Sequence, residues 1–142
     1  MMVLDTYALV ALAIEEPAGS EVDALLRDGD CAVTTANVAE LFDQLVRRVG
    51  MDADAVSERI EALLDEAVEV RDLDRGRAAR AGLLRARHYR PKTAELSLAD
   101  CVLLASLDEG DRLATADAPL ARVARELGFG VIALADSRGR RP

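Results

Sequence analysis

The chain alternates short apolar runs with longer segments in which apolar residues recur three or four positions apart. Val38, Leu41 and Leu45 show the longer spacing, which is typical of a helix with one buried face. Short apolar runs bounded by turn residues predict buried strands instead. The predicted strands are Val3–Leu4, Cys31–Thr34, Val68–Val70, Arg112–Thr115 and Gly130–Leu134. The predicted helices are Tyr7–Glu15, Ser20–Arg27, Asn37–Val49, Asp54–Ala67, Asp74–His88, Leu98–Glu109 and Pro119–Leu127.

Strands that alternate with helices predict a mostly parallel sheet covered by helices on both faces. We therefore expect an α/β fold of three layers, α/β/α, with four to five strands in the central sheet. A length of 142 residues is that of one domain. We assign residues 1–136 to this domain and residues 137–142 to a basic, mobile tail.

The composition narrows the class of protein. Hydrophobic residues make up 51% of the chain, so a core can form without disulfides, and the isolated Cys31 and Cys101 fit no zinc spacing. A net charge of −8 argues against non-specific binding to nucleic acid. The apolar run from Ala8 to Ile14 is too short to span a bilayer and has no basic region before it. We expect a cytoplasmic protein without membrane contact.

Four acidic residues follow predicted strands or lie early in predicted helices. They are Asp5, Glu40, Asp100 and Asp117. Each has an ordinary structural explanation when taken alone. Asp5 or Thr6 could cap the first helix, Ser97 and Asp100 have the form of a capping box, and Asp117 could cap the helix that contains Pro119. Glu40 could be a solvated helix residue.

The same four residues have a different meaning as a group. Asp5 and Asp117 each come after a strand, and the carboxyl ends of parallel strands meet at one edge of a sheet. Carboxylates crowded at such an edge repel one another, which raises their pKa values. Hard divalent cations neutralise such a cluster and can support two-metal hydrolysis of a phosphodiester. The sequence therefore predicts a site for Mg²⁺ or Mn²⁺.

The chain resembles the PIN-domain ribonucleases, and within them the VapC-type toxins of toxin–antitoxin pairs. The resemblance covers residues 3–134 and rests on these features in order: Val3-Leu4-Asp5-Thr6, Glu40 in an early amphipathic helix, Leu96-Ser97-Leu98-Ala99-Asp100, and Thr115-Ala116-Asp117. It implies that Asp5, Glu40, Asp100 and Asp117 bind Mg²⁺ or Mn²⁺ and catalyse RNA cleavage. It further implies that the Thr115 hydroxyl lines the site and that Thr6 orients Asp5.

The resemblance also implies partners. These are an RNA substrate, a cognate antitoxin protein of the VapB type, and a second copy of the chain in a homodimer. Two features depart from the family pattern. Ala118-Pro119 follow Asp117 where many relatives carry a further acid, and Tyr7 stands where a small residue is usual. The Tyr7 ring could narrow the groove or contact a base, and it could equally be an ordinary core side chain.

Basic residues could form a rim around the acids. Arg47 and Arg48 follow Glu40 by two helical turns, and an unbroken α-helix would put Arg47 on the face of Glu40. Arginines in such a position attract phosphate, although a surface arginine can equally be solvated or paired with an acid.

Three other functions compete with the nuclease. A phosphoacceptor domain would need paired acids at the first strand, and a phosphatase with an aspartyl nucleophile would need a second Asp where Tyr7 stands. A catalytically silent PIN-like domain that binds a protein partner is the third. Loss of metal-dependent cleavage on Asp100→Asn would separate the nuclease from the silent domain.

Overall fold

The computed structural model describes all residues, 1–142, and contains a five-stranded sheet with helices on both faces. The strands are β1 (Met2–Leu4), β2 (Cys31–Thr34), β3 (Glu69–Arg71), β4 (Arg112–Thr115) and β5 (Gly130–Ala133). The helices are α1 (Thr6–Ala13), α2 (Gly19–Asp28), α3 (Thr35–Asp43), α4 (Ala53–Ala67), α5 (Arg75–His88), α6 (Leu98–Ala105) and α7 (Ala118–Glu126). A π-helical segment, Gln44–Val49, continues α3.

The sheet is parallel throughout, with the strand order β3-β2-β1-β4-β5. The chain begins in the centre, builds one half outward through β2 and β3, then returns to build the other half through β4 and β5. The direction in which strands are added therefore reverses at β1. Parallel α/β sheets usually bind ligands beside the carboxyl end of the strand where this reversal occurs. The predicted three-layer α/β class with four to five strands is confirmed.

Alternate residues of each inner strand face opposite layers. Leu4 and Val33 belong to a core that includes residues of α1, α3 and α4. Val3 and Ala32 belong to a second core that includes residues of α5, α6 and α7. Because side chains alternate across a strand, every inner strand is apolar on both faces and reads as a continuous apolar run in the sequence.

The helix predicted over Leu98–Glu109 is shorter than expected, since α6 ends at Ala105. The Ser106 hydroxyl donates to the Val102 carbonyl at 2.8 Å, and Arg71 donates to the Ser106 carbonyl at 2.8 Å. A turn then follows, in which the Asp111 carboxylate accepts from the Asp108 N–H at 2.8 Å. The apolar pattern predicted a helix that is too long, because Arg71, which binds the carbonyl at the helix end, is distant in sequence.

The Arg71 side chain also pairs with Asp111 at 2.5 Å, and both residues are buried. Burial alone would raise the pKa of Asp111, but hydrogen bonds from Arg71, the Asp108 N–H and the N-terminus outweigh it and lower the pKa to about 2. This pair connects β3 to the loop before β4.

The helix predicted over Asn37–Val49 is continuous but changes its geometry. It is α-helical to Asp43 and π-helical from Gln44, and Gly50 ends it at a φ of +84°. A π-helix winds more widely, so that residues beyond Gln44 do not point where an α-helical wheel places them. The expectation that Arg47 shares the face of Glu40 is wrong for this reason. Its guanidinium pairs with Asp43 and is 71% exposed.

None of the helices has the length and hydrophobicity needed to cross a lipid bilayer.

Near the C-terminus, Arg141 donates to the carboxylate of Glu21 at 2.8 and 2.9 Å. The division into a domain of residues 1–136 and a tail of residues 137–142 stays a prediction.

Candidate functional site

Asp5 and Asp117 follow neighbouring strands. Leu4 of β1 pairs with Ala114 of β4, and the Asp5 N–H donates to the Ala114 carbonyl at 3.2 Å. Each carboxylate also caps a helix, because Asp5 accepts from the Ala8 N–H at 2.8 Å and Asp117 from the Leu120 N–H at 2.6 Å. The capping explanation is therefore correct for both residues, and it fixes the two side chains at one edge of the sheet.

Thr115, the last residue of β4, connects these two acids. Its hydroxyl donates to the free oxygen of Asp5 and accepts from the Asp117 N–H at 2.9 Å. Thr115 is fully buried, so the contact is shielded from solvent. The residue therefore orients the Asp5 carboxylate, and its role in lining a metal site stays a prediction.

Asp100 and Glu40 lie on α6 and α3, two helices that pack against each other. Asp100 forms the predicted capping box, accepting from the Ser97 N–H at 2.7 Å while its own N–H donates to the Ser97 hydroxyl at 2.9 Å. Glu40 is not simply solvated, because it is partly buried and accepts from the Thr6 hydroxyl at 2.6 Å. Thr6 consequently orients Glu40, and the expectation that it orients Asp5 is wrong.

Asn37 belongs to the same network and was missed by the sequence analysis. Its side chain is completely buried, accepts from the Thr34 hydroxyl at 2.5 Å and donates to the Thr6 hydroxyl at 3.0 Å. Thr6 in turn donates to Glu40, so Asn37 fixes the Thr6 hydroxyl, which orients the Glu40 carboxylate. A polar residue on the apolar side of α3, three positions after its capping Thr34, is the signal that could have revealed it.

Burial and mutual repulsion act on the acids. Burial raises the pKa of Asp5 to about 7, with the charges of Asp100 and Asp117 adding to it, while hydrogen bonds from Thr115 and Ala8 oppose the rise. Burial also raises the pKa of Asp100, helped by the charges of Asp117 and Glu40 and opposed by hydrogen bonds with Ser97. Each of the two buried acids thus experiences the negative charge of its neighbours.

Positive charge does not compensate these acids. Every ion pair of the protein involves other carboxylates, and none involves Asp5, Glu40, Asp100 or Asp117. Uncompensated charge at a partly buried position is costly, and either a bound proton or a counter-ion relieves it.

The donor set fits a hard divalent cation by its chemistry. It consists of carboxylate oxygens only, and Asp100, Asp117 and Glu40 each keep one oxygen that accepts no hydrogen bond within the protein. No three His, Cys, Asp or Glu side chains converge closely enough to hold a single ion in this conformation. The acids thus match Mg²⁺ or Mn²⁺ in type and charge, while their separation exceeds what one ion spans.

Sequence comparison assigns the family. The family model of the PIN domain matches residues 2–141, nearly the whole chain. The chain belongs to the PIN domain family. Membership confirms the resemblance found in the sequence, and no curated protein matches significantly.

Solved structures of the same fold agree with this membership. They include a toxin–antitoxin complex from Klebsiella pneumoniae (TM-score 0.65, 18% identity, covering 93% of this chain and 96% of that one). VapBC2 from Rickettsia felis, bound to a DNA fragment from its promoter, is similar (0.61, 14%, 92% and 96%). FitAcB from Neisseria gonorrhoeae is the third (0.61, 18%, 93% and 96%). These structures and the present one thus share a fold over almost their full lengths.

Proposed function

We propose that this protein is a metal-dependent endoribonuclease, the toxin of a toxin–antitoxin pair, which hydrolyses RNA phosphodiester bonds. Membership of the PIN domain family, whose members include nucleases, supports the nuclease class. The observation that carries the proposal is the group of acids at the end of β1 and β4, which repel one another and have no cationic partner. Such a group destabilises the folded protein when no cation is bound, and its carboxylate oxygens can bind a divalent cation.

The side chains have separate tasks in this proposal. Asp5, Glu40, Asp100 and Asp117 would hold Mg²⁺ or Mn²⁺, which supplies an activated water and stabilises the negative charge that develops on the phosphate. Thr115 keeps the Asp5 carboxylate in place, and Thr6 does the same for Glu40. Positioning hydrogen bonds of this kind support metal affinity, since they restrict the ligands before the ion arrives.

The direct test is cleavage of a mixed pool of structured RNA by the purified protein. Wild type is expected to cut with Mg²⁺ or Mn²⁺ and not with EDTA, and Asp100→Asn is expected to lose at least about 100-fold in rate. Asp52→Asn is the matched control, because Asp52 also caps a helix through its side chain and lies outside the acid group. Equal rates for Asp100→Asn and the control would contradict the proposal.

A catalytically silent PIN domain that binds a protein partner is the second candidate. Two observations favour it: no three acids converge on one ion, and Ala118 follows Asp117 where a further acid is common. Absence of cutting with every metal, from protein that is folded and free of antitoxin, would select this candidate.

An antitoxin and a homodimer complete the proposed assembly, and the similar toxin–antitoxin complexes support the first of these partners. An open apolar groove of about 340 Å³ between α5, α6 and the end of α7 suits the dimer contact. Leu83, on its rim, is 72% exposed and extends the apolar lining of the groove to the surface, and contiguous exposed apolar patches often mark interaction sites.

Ultracentrifugation tests this contact. The wild type is expected to sediment at twice its chain mass of 15.2 kDa, and Leu83→Glu as a single chain. Leu73→Glu is the control, since Leu73 is also exposed, at 43%, but lies outside the groove. A monomeric wild type, or equal behaviour of the two variants, would contradict the assignment.

A further inference from the structure

A small recess lies between α1, the π-helical segment and the residues after β5. Its volume is about 150 Å³, and Tyr7, Val10, Ile14, Glu16, Gln44 and Arg48 contribute to its walls. Pockets for drug-sized ligands measure about 300–1,000 Å³, so this one suits a single small ring system. One wall is apolar and the other presents an amide, a carboxylate and a guanidinium.

Two helices carry residues of both the recess and the candidate metal site. Tyr7 is two residues after Asp5 on α1. Gln44 is one turn after Glu40, and its N–H donates to the Glu40 carbonyl. Four residues of an α-helix extend about 6 Å along the helix axis. This length is comparable to the distance from a phosphate to the base of the same nucleotide. A nucleotide with its phosphate at the acids could therefore place its base here.

Two of the polar side chains in the recess lack partners within the protein. Tyr7 is fixed, since its hydroxyl donates to Glu16 at 2.7 Å and lies 3.2 Å from the Ala135 carbonyl oxygen. The side chains of Gln44 and Arg48, by contrast, form no hydrogen bond or ion pair, although the chain has 26 acidic residues. The neighbouring Arg47 is tied to Asp43 at 2.7 and 2.6 Å.

The π-helix explains the difference between the two arginines. It begins at Gln44 and contains both Arg47 and Arg48. Both are exposed, but Arg48 borders the recess while Arg47 pairs with Asp43 outside it. Single π-helical turns occur frequently at functional sites, where they redirect side chains.

We propose that this recess binds one RNA base next to the scissile phosphate, with adenine preferred. The Tyr7 ring offers a stacking face and the Gln44 amide a donor and an acceptor, the combination that pairs with the N6 and N7 positions of adenine. Arg48 contacts the neighbouring phosphate or stacks on the base. The proposal rests on the proposed nuclease function, because it assigns a specificity subsite to that same site.

Binding can be measured without any catalysis. The chain has two tyrosines, Tyr7 and Tyr89, so ¹³C-labelled tyrosine gives two sets of ring signals, and Tyr89→Phe identifies those of Tyr7. The protein would be titrated in Mg²⁺ with AMP, CMP, GMP and UMP, which contain no phosphodiester to cut, because the metal-free acids would repel the phosphate. We expect AMP to shift the Tyr7 signals at concentrations roughly tenfold below UMP.

The variants sharpen the binding test. Arg48→Gln and Gln44→Leu are expected to weaken AMP binding about tenfold, and Arg47→Gln, the matched control on the same segment, not at all. Tyr7 signals that respond to none of the four nucleotides would overturn the inference. So would equal weakening by Arg47→Gln and Arg48→Gln.

Mapping of cut sites separates this inference from the proposed function. Wild type is expected to cut a randomised RNA beside adenine, and Gln44→Leu to cut with metal but without that preference. AMP binding at Tyr7 with no cutting would overturn the nuclease and leave the base subsite intact. Metal-dependent cutting with no base preference and no Tyr7 response would overturn the subsite alone.

Discussion

Replacement of Asp5 by asparagine is expected to stabilise the metal-free protein while removing its metal response. Asp5 is 3% exposed and carries a pKa raised from 3.8 to about 7, mainly by burial. Asparagine has the same shape and caps helices as well as aspartate does, so the acceptor for the Ala8 N–H is kept. The variant removes the charge and keeps the cap, while the Thr115 hydroxyl, which donates to the other Asp5 oxygen, must accept from the asparagine amide instead.

The magnitude follows from the pKa. In the folded protein Asp5 keeps its proton up to about pH 7, whereas the unfolded chain releases it near pH 3.8. The folded state therefore binds more protons between these values, and the contribution of Asp5 to the free energy of unfolding falls as pH rises through this window. At about 1.4 kcal/mol for each pKa unit, the full loss is about 4 kcal/mol, which is an upper bound for the gain on removing the charge.

Urea unfolding in EDTA, at several pH values from 4 to 8, measures this effect. Asp5→Asn should exceed wild type in stability above pH 7, and the difference should shrink towards pH 4. Adding Mg²⁺ should stabilise wild type and not the variant. Asp52→Asn, an exposed cap, should match wild type throughout. A variant less stable than wild type at pH 8, or a difference independent of pH, would refute the reasoning.

Three further changes test other parts of the structure. Asp111→Asn should lower the free energy of unfolding by about 2 kcal/mol at pH 7, because the pairing with Arg71 favours the charged carboxylate. Urea unfolding should show that this difference from wild type disappears as the pH falls through about 2. Thr6→Val should weaken Mn²⁺ binding about tenfold in calorimetry without unfolding the protein, since it frees Glu40; unchanged affinity would remove Thr6 from the site. Gly19→Ala should cost about 1–3 kcal/mol in urea unfolding, because a Cβ there would lie 2.8 Å from a backbone oxygen of α1, whereas wild-type stability would mean that the two helices can separate.

The apolar pattern predicted the parallel sheet because both faces of its inner strands are buried. Val3 and Leu4, for example, enter different cores, which makes the strand a continuous apolar run. The pattern failed at the end of α6, where the carbonyl of Ser106 is bound by Arg71, a residue far away in sequence. It also failed at Gln44, where a change from α- to π-helix leaves the hydrophobic spacing intact.

The site was predictable as a set of acids but not as a network. Asp5, Asp100 and Asp117 were recognised by their positions after strands or at a helix start, and the structure gives each of them a capping role as well. Asn37 was missed and Thr6 was assigned to the wrong acid, because both depend on contacts between α1 and α3. Contacts between residues distant in sequence leave little local signal.

The measurement that tests the central claim most directly is cleavage of one RNA by antitoxin-free protein with Mg²⁺ and with EDTA, followed by analysis of the product ends. Attack by water, as the proposed metal site requires, predicts cutting that stops in EDTA and continues when the 2′-hydroxyl at the cut is replaced by hydrogen. Cutting that persists in EDTA, or that needs the 2′-hydroxyl, would contradict the account, because the reaction would then not be attack by a metal-activated water.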